Sequence, residues 1–318
     1  MSNRATIGVI LGGALAVAVV LVLALHGGSG GGGKKKPTTT VAEIAACADT
    51  GDRLTKLQLL QNLPAAPHVL VLGSSRARPV MPNVLQGLTG GSVFNAGVHG
   101  GNAADMYVFA RVLAQEFPHA TPQYLIFVDV GMATDGLDPE LADLPVARPF
   151  LGSKATFVKT GCTPNGFYDA NGGLNYPPAS KEQEHAQVMR DLPAALEHVR
   201  TESKAPQHID PAHTKWFLKL LSFIKAQHRT PVIVLNPMYP SILAARRRYG
   251  FPELKAAMDY IAYLRHQHYR FVFINAEDIR KWGGSAANFS NFDHIDRTNM
   301  SKLLAYVVAH SNGILKAR

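Results

Sequence analysis

The sequence predicts an α/β protein: a three-layer α/β/α sandwich around a central parallel five-stranded sheet, with one N-terminal transmembrane helix ahead of it. Three observations carry this. Five short apolar runs have strand length: HVLVLG (68–73), SVFNAG (92–97), QYLIFVDV (123–130), TPVIVLN (230–236) and FVFIN (271–275). Stretches with helical spacing lie between them, and that alternation is the pattern of a parallel sheet covered on both faces. The first three runs also end in polar, glycine-bearing segments, GSS, VHGGN and GMATDG. In such sheets ligands bind beyond the C-terminal strand ends, so these three ends share one rim.

Taken from the N-terminus, the first element is apolar. Between Arg4 and His26 lie 21 uncharged residues. As a helix they would span about 32 Å, close to the hydrocarbon thickness of a bilayer. Residues 1–26 are therefore expected to form a signal-anchor helix, the alternative being a cleaved signal peptide. The run is longer than the usual h-region of about 7–15 residues, and LALHGG is a poor small-x-small cleavage site. Residues 27–45 read as a Gly/Lys/Pro/Thr linker. The expected location is the cell membrane, single-pass, with the domain on the extracytoplasmic side, or secreted if the helix is cleaved.

Residues 46–318 form the expected domain. RLTKLQLLQNL (53–63) has helical spacing and stops at Pro64 and Pro67. Further helices are expected at about 101–116, 182–200, 212–228, 252–268 and 297–310. Between them, residues 135–181 break the pattern. Pro-Asn-Gly, Ala-Asn-Gly-Gly and Tyr-Pro-Pro are turn signals, and this insertion reads as a lid or binding loop, or as surface decoration. Tyr168, Asn171, Asn175 and Tyr176 are its candidates for substrate contact.

Charge excludes one class of partner. The formal charge is +9, but Arg4, Lys34, Lys35 and Lys36 supply four of it and residues 1–36 hold no acid, which leaves +5 for the rest. That balance describes a solvated, slightly basic face and no nucleic-acid partner. The two cysteines, Cys47 and Cys162, form one disulfide if the domain is extracytoplasmic; otherwise they are two buried thiols. No metal-ligand spacing, Walker A loop or GxGxxG fingerprint is present, so no cofactor is expected.

The chemistry centres on Gly73-Ser74-Ser75-Arg76. Either the serines cap a following helix or one is a nucleophile, and a serine nucleophile needs a base. His294, in the turn-rich run ANFSNFDHIDRTN before the last helix, is the candidate base. Arg76 could bind an anionic group or start a helix. His99 could line the pocket or lie on the surface. Asp129, inside the third strand, would be costly if buried unpaired and could bond the rim backbone or reach the site.

Gly-x-Ser after the first strand, Asn-x-x-x-x-Gly after the second and a late histidine before the final helix together resemble the block pattern of the SGNH/GDSL hydrolases, over residues 66 to 310. The GSSR opening is similar to the branch related to envelope acyltransferases. The resemblance implies Ser75 as nucleophile, His294 as base, and the backbone N–H groups of Ser75 and Gly100 as oxyanion donors; Asn95, Arg76, His99 and Asp129 are the candidates for substrate contact. Two blocks depart from the pattern. Gly131-Met132-Ala133-Thr134 lacks the family's Asn donor, and one lost donor can cost about 10²–10³ in rate. Asn291 stands where the family has Asp. An Asn accepts from the imidazole but cannot stabilise imidazolium by charge, a change worth about 10⁴ in the serine-protease case. Asp293 or Asp296 could orient His294 instead. The implied activity is a serine esterase or O-acyltransferase working through an acyl-enzyme. Its expected partners are the membrane, an acylated small molecule or envelope polysaccharide, and a membrane-bound acyl donor. The competing reading is a decayed site in a glycan-binding or accessory protein.

Overall fold

The computed structural model describes residues 52–129, 141–142, 144–152, 168–174, 179–202, 209, 214–250 and 252–317. Strands β1 (Val69–Leu72), β2 (Val93–Asn95), β3 (Gln123–Val128), β4 (Val232–Leu235) and β5 (Val272–Asn275) form one parallel sheet in the order β2-β1-β3-β4-β5. β1, β3 and β4 are mainly apolar and almost wholly buried, β2 is buried including Asn95, and the edge strand β5 is half-buried, with Ile274 its one buried residue. Leu70 and Leu72 of β1 enter one hydrophobic core while Val69 and Val71 enter the other, the two-residue period of a strand covered on both faces.

The helices supply the covers. They are α1 (Asp52–Gln61), α2 (Pro82–Thr89), α3 (Ala103–Glu116), α4 (Lys181–Glu202), α5 (Lys215–Ala226), α6 (Pro240–Tyr249), α7 (Pro252–His266) and α8 (Arg297–Ala309). Apolar residues of α1, α3, α5 and α7 fill the core on one face, and those of α2, α4 and α8 the core on the other. The result is the expected three-layer α/β/α arrangement. Between β5 and α8 a two-stranded antiparallel hairpin, β6 (Phe289–Asn291) and β7 (His294–Ile295), pairs Asn291 with His294.

The strand order reverses direction between β1 and β3, the topological switch point where the loops leaving two strands part and open a crevice. Ser75 follows β1 and Asp129 follows β3, so both flank it.

One expectation is corrected. Among the described residues no helix is long and apolar enough to cross a membrane. Residues 1–26, on which the single-pass anchor rested, lie outside the described residues, as do the linker 27–45, Cys47 and Cys162. The transmembrane helix, the membrane and membrane-bound partners, and the cell-membrane location are therefore withdrawn.

The insertion also differs from a free lid where it is described. Tyr168 and Leu174 bridge a tight turn in which Asp169 Oδ1 accepts from the Asn171 and Gly173 N–H groups at 2.8 and 2.9 Å. The Asn171 carbonyl accepts from Asn95 N–H at 2.9 Å, so the turn docks on the edge strand β2. Asn175 and Tyr176 lie outside the described residues.

Candidate active site

Ser75 sits in a turn, and neither serine caps a helix. Ala77 N–H donates to the Ser74 carbonyl at 2.9 Å and Arg78 N–H to the Ser75 carbonyl at 3.2 Å, while the next helix, α2, starts at Pro82. Two glycines let this turn pack tightly. A Cβ on Gly73 would lie 2.6 Å from Ala77 Cβ, and one on Gly97 would lie 2.8 Å from the same atom. Ala77 is thus wedged between the ends of β1 and β2, which fixes where Ser75 emerges.

Asn95 was expected among the substrate contacts, and the structure corrects this. It is fully buried at the end of β2, and its Nδ2 lies 3.1, 3.2 and 2.8 Å from the carbonyls of Ala77, Arg78 and Val80. Its Oδ1 accepts from Gly97 N–H at 2.9 Å. It binds the turn after Ser75 and is a positioning residue.

His294 reaches the serine from the hairpin. Its Nε2 lies 2.8 Å from Ser75 Oγ, and its Nδ1 lies 2.9 Å from Asn291 Oδ1. The same Oδ1 accepts from the backbone N–H groups of Asp293 and His294 at 2.8 and 2.9 Å. Two obligate donors fix that atom as the carboxamide oxygen, so Nδ1 must carry the proton. Nε2 is then the free base, and Ser75 Oγ–H donates to it. Asn291 also shapes the hairpin turn, a role short polar side chains favour.

Neither of the other carboxylates considered as orienter touches the imidazole. Asp293 Oδ1 accepts from Arg76 Nη2 at 2.8 Å. Asp296 is the N-cap of α8, accepting from Asn299 N–H at 2.8 Å, and pairs with Lys181.

Arg76 links the loops of the site. Its Nη1 donates to Asp129 Oδ1 at 2.6 Å while its Nη2 holds Asp293. Two carboxylates already compensate it. Asp129, also expected at the substrate, is instead the acceptor at the centre of a polar cluster. It receives Arg76, Asn236 Nδ2 at 2.9 Å and Ser74 Oγ at 3.2 Å. Sequence reading missed Asn236 as part of this cluster. Its only signal was its place at the C-terminal end of β4, on the same rim.

Burial pushes the His294 pKa below the ordinary imidazole value, and the Arg76 cation adds to this, against the opposing pull of Asp293 and Asp129. The imidazole is neutral at neutral pH, the form a general base requires.

Gly100 is exposed with φ +59, a conformation glycine adopts without strain. The N–H groups of Ser75 and Gly100 have no hydrogen-bond partner among the described residues. His99 is exposed; its backbone N–H, not its ring, is used, donating to Asp52 Oδ2 at 2.9 Å. Residues 131–134 lie outside the described residues. Tyr168, a candidate for substrate contact, is buried, with its hydroxyl donating to Asp52 and accepting from Arg78. Among the described residues no cluster of His, Cys, Asp or Glu is arranged to hold a metal ion.

No family model matches this chain, and no curated protein matches it.

Proposed function

We propose that this chain is a serine-dependent acyl-transfer enzyme of the SGNH type, an esterase when water is the acceptor and an O-acyltransferase when another hydroxyl is. The observation that carries the reading is the hydrogen-bonded series Ser75 Oγ, His294 Nε2, His294 Nδ1, Asn291 Oδ1, at 2.8 and 2.9 Å. Such a series turns a poor nucleophile into a competent one.

Ser75 Oγ attacks the carbonyl carbon of an ester, and its proton passes to His294 Nε2. The carbonyl becomes an oxyanion, which the N–H groups of Ser75 and Gly100 stabilise. Collapse expels the alkoxide, which takes the proton from His294 and leaves an acyl ester on Ser75. An acceptor hydroxyl then gives its proton to His294, attacks the acyl carbon and releases Ser75, which recovers the proton. Asn291 holds the tautomer and ring orientation throughout. It lends no charge to the imidazolium, and Asp293 and Asp129 supply the nearby negative potential.

Fluorophosphonate labelling of the full-length protein tests this. Wild type and Ser74→Ala should label, whereas Ser75→Ala and His294→Ala should not. A folded wild type that fails to label would remove the acyl-enzyme and leave the cleft as a binding site.

A further inference from the structure

Three side chains from the first turn and a half of α1 reach the loop that carries Gly100. Asp52 Oδ2 accepts from His99 N–H at 2.9 Å, Arg53 Nη2 donates to the Gly100 carbonyl at 3.4 Å, and Lys56 Nζ donates to the Gly97 carbonyl at 2.6 Å. On its other side the loop is tied to the nucleophile turn, where Val98 N–H donates to the Gly73 carbonyl at 3.3 Å. Within the loop Gly97 N–H donates to Asn95 Oδ1 at 2.9 Å and Gly101 N–H to the Val98 carbonyl at 3.2 Å. A Cβ placed on Gly100 would meet no atom within 4 Å, so hydrogen bonds rather than packing set where its N–H lies.

The burial of these charges needs an explanation. Lys56 is fully buried and Arg53 is 4% exposed. A buried cation is normally less favourable than an apolar residue of its size. Arg53 is matched by Asp105, at 2.6 Å from Nε. Among the described residues no carboxylate is in hydrogen-bond contact with Lys56; its ammonium meets the Gly97 carbonyl and lies 4.7 Å over the Tyr168 ring. An apolar side chain would fill that space, but it would release the carbonyl.

We propose that Lys56, assisted by Asp52, is a positioning residue for the oxyanion donor, holding the Gly97–Gly100 loop so that the Gly100 N–H stays fixed during acyl transfer. This inference rests on the acyl-transfer reading above.

The titratable groups around Lys56 are Asp52 on its own helix, Arg78 in the turn after β1, and Tyr168 and Asp169 in the turn docked on β2. Burial brings the Lys56 pKa down to about 7, with Asp52 and Asp169 pulling it up and Arg78 pushing it down. The charge-assisted bond to Gly97, the stronger kind, is therefore present below about pH 7 and lost above it.

The experiment is steady-state turnover of p-nitrophenyl acetate by the full-length wild type, Lys56→Met and Asp52→Asn across pH. An oxyanion donor acts in the transition state, so loosening it should lower kcat and kcat/KM together and leave KM unchanged. Deleting a donor outright costs roughly 10²–10³-fold, and displacing one should cost about 10–100-fold. Wild-type kcat should also fall on the alkaline side near pH 7, and Lys56→Met should lack that limb. Retention of wild-type kcat or of the alkaline limb in a folded Lys56→Met overturns the inference while the acyl-transfer reading stands. Should Lys56→Met fail to fold, Asp52→Asn decides: unchanged kcat overturns the inference. A wild type that turns over no ester overturns the acyl-transfer reading and the inference with it.

Discussion

At His294 the backbone fixes the proton inventory. Two N–H groups point at Asn291 Oδ1, which forces the imidazole to donate from Nδ1 and to accept at Nε2. Because Asn291 is a carboxamide it adds no charge beside the protonated ring, and burial, with the Arg76 cation, keeps the pKa below the ordinary value against the pull of Asp293 and Asp129. The proposed reaction needs His294 neutral, so kcat/KM should be lost as pH falls, with a midpoint below about 6.5, the free imidazole value. Asn291→Asp should preserve the hydrogen bonds and add a charge that favours imidazolium. Its acid limb should move upward, which a pH–rate profile of the two proteins would show directly. An unmoved limb would mean that another group controls the acid side.

The elements meet through Arg76, which joins the turn after β1, the end of β3 and the β6–β7 hairpin. Removing it leaves Asp129 and Asp293 facing each other's field without a cation. Arg76→Met should lower stability by about 1–3 kcal/mol, the usual range for charge-assisted hydrogen bonds, and toward the low end because Asp293 is 44% exposed. Urea denaturation measures this. The same variant should raise the His294 pKa, since a neighbouring cation is gone, and NMR titration of the imidazole reads that separately. Sequence made some of these elements legible and hid others. The five strands announced themselves as short, nearly continuous apolar runs, the pattern of strands in a parallel sheet covered by helices. Helices α2 and α6 did not. Each has proline in its first turn, Pro82 and Pro240, a position proline suits, and each is only eight to ten residues long, too short for a clear helical period. At the site, Ser75, Asn291 and His294 stood out through their order along the chain, and their side chains lie in one hydrogen-bonded series. The Asp129 cluster left no such trace. Arg76 and Asp129 are 53 residues apart, Asn236 and Asp129 107, and a pairing across strand ends imposes no local spacing.

For the whole molecule, the pH dependence of stability follows from groups whose protons bind differently in the folded and unfolded chain. Lys56 is the leading one on the neutral-to-alkaline side. Unfolded, it holds its proton until about pH 10.4; folded, burial releases that proton near pH 7. Between those values the unfolded state binds more protons, so stability must rise with pH, with a limiting slope of about 1.4 kcal/mol per pH unit. Above about pH 10 the sign reverses. Burial pushes the phenols of Tyr124 and Tyr168 upward, so the fold keeps protons that the unfolded chain gives up. On the acid side, stability falls as pH drops through the His294 range, because the fold resists protonation there. It falls again below the ordinary carboxylate range, where Asp52 and Asp278 are held ionised. The expected curve therefore has its maximum well above neutrality. Urea unfolding at about pH 7, 8 and 9 should show a rising free energy in wild type and a nearly flat one in Lys56→Met. Equal slopes would mean that Lys56 keeps its proton in the fold. If the slope is present, the same residue makes stability and turnover respond to pH in opposite directions. Deprotonation relieves a buried charge, which favours the fold, and weakens the bond to Gly97, which under the proposed mechanism loosens the loop carrying the Gly100 N–H.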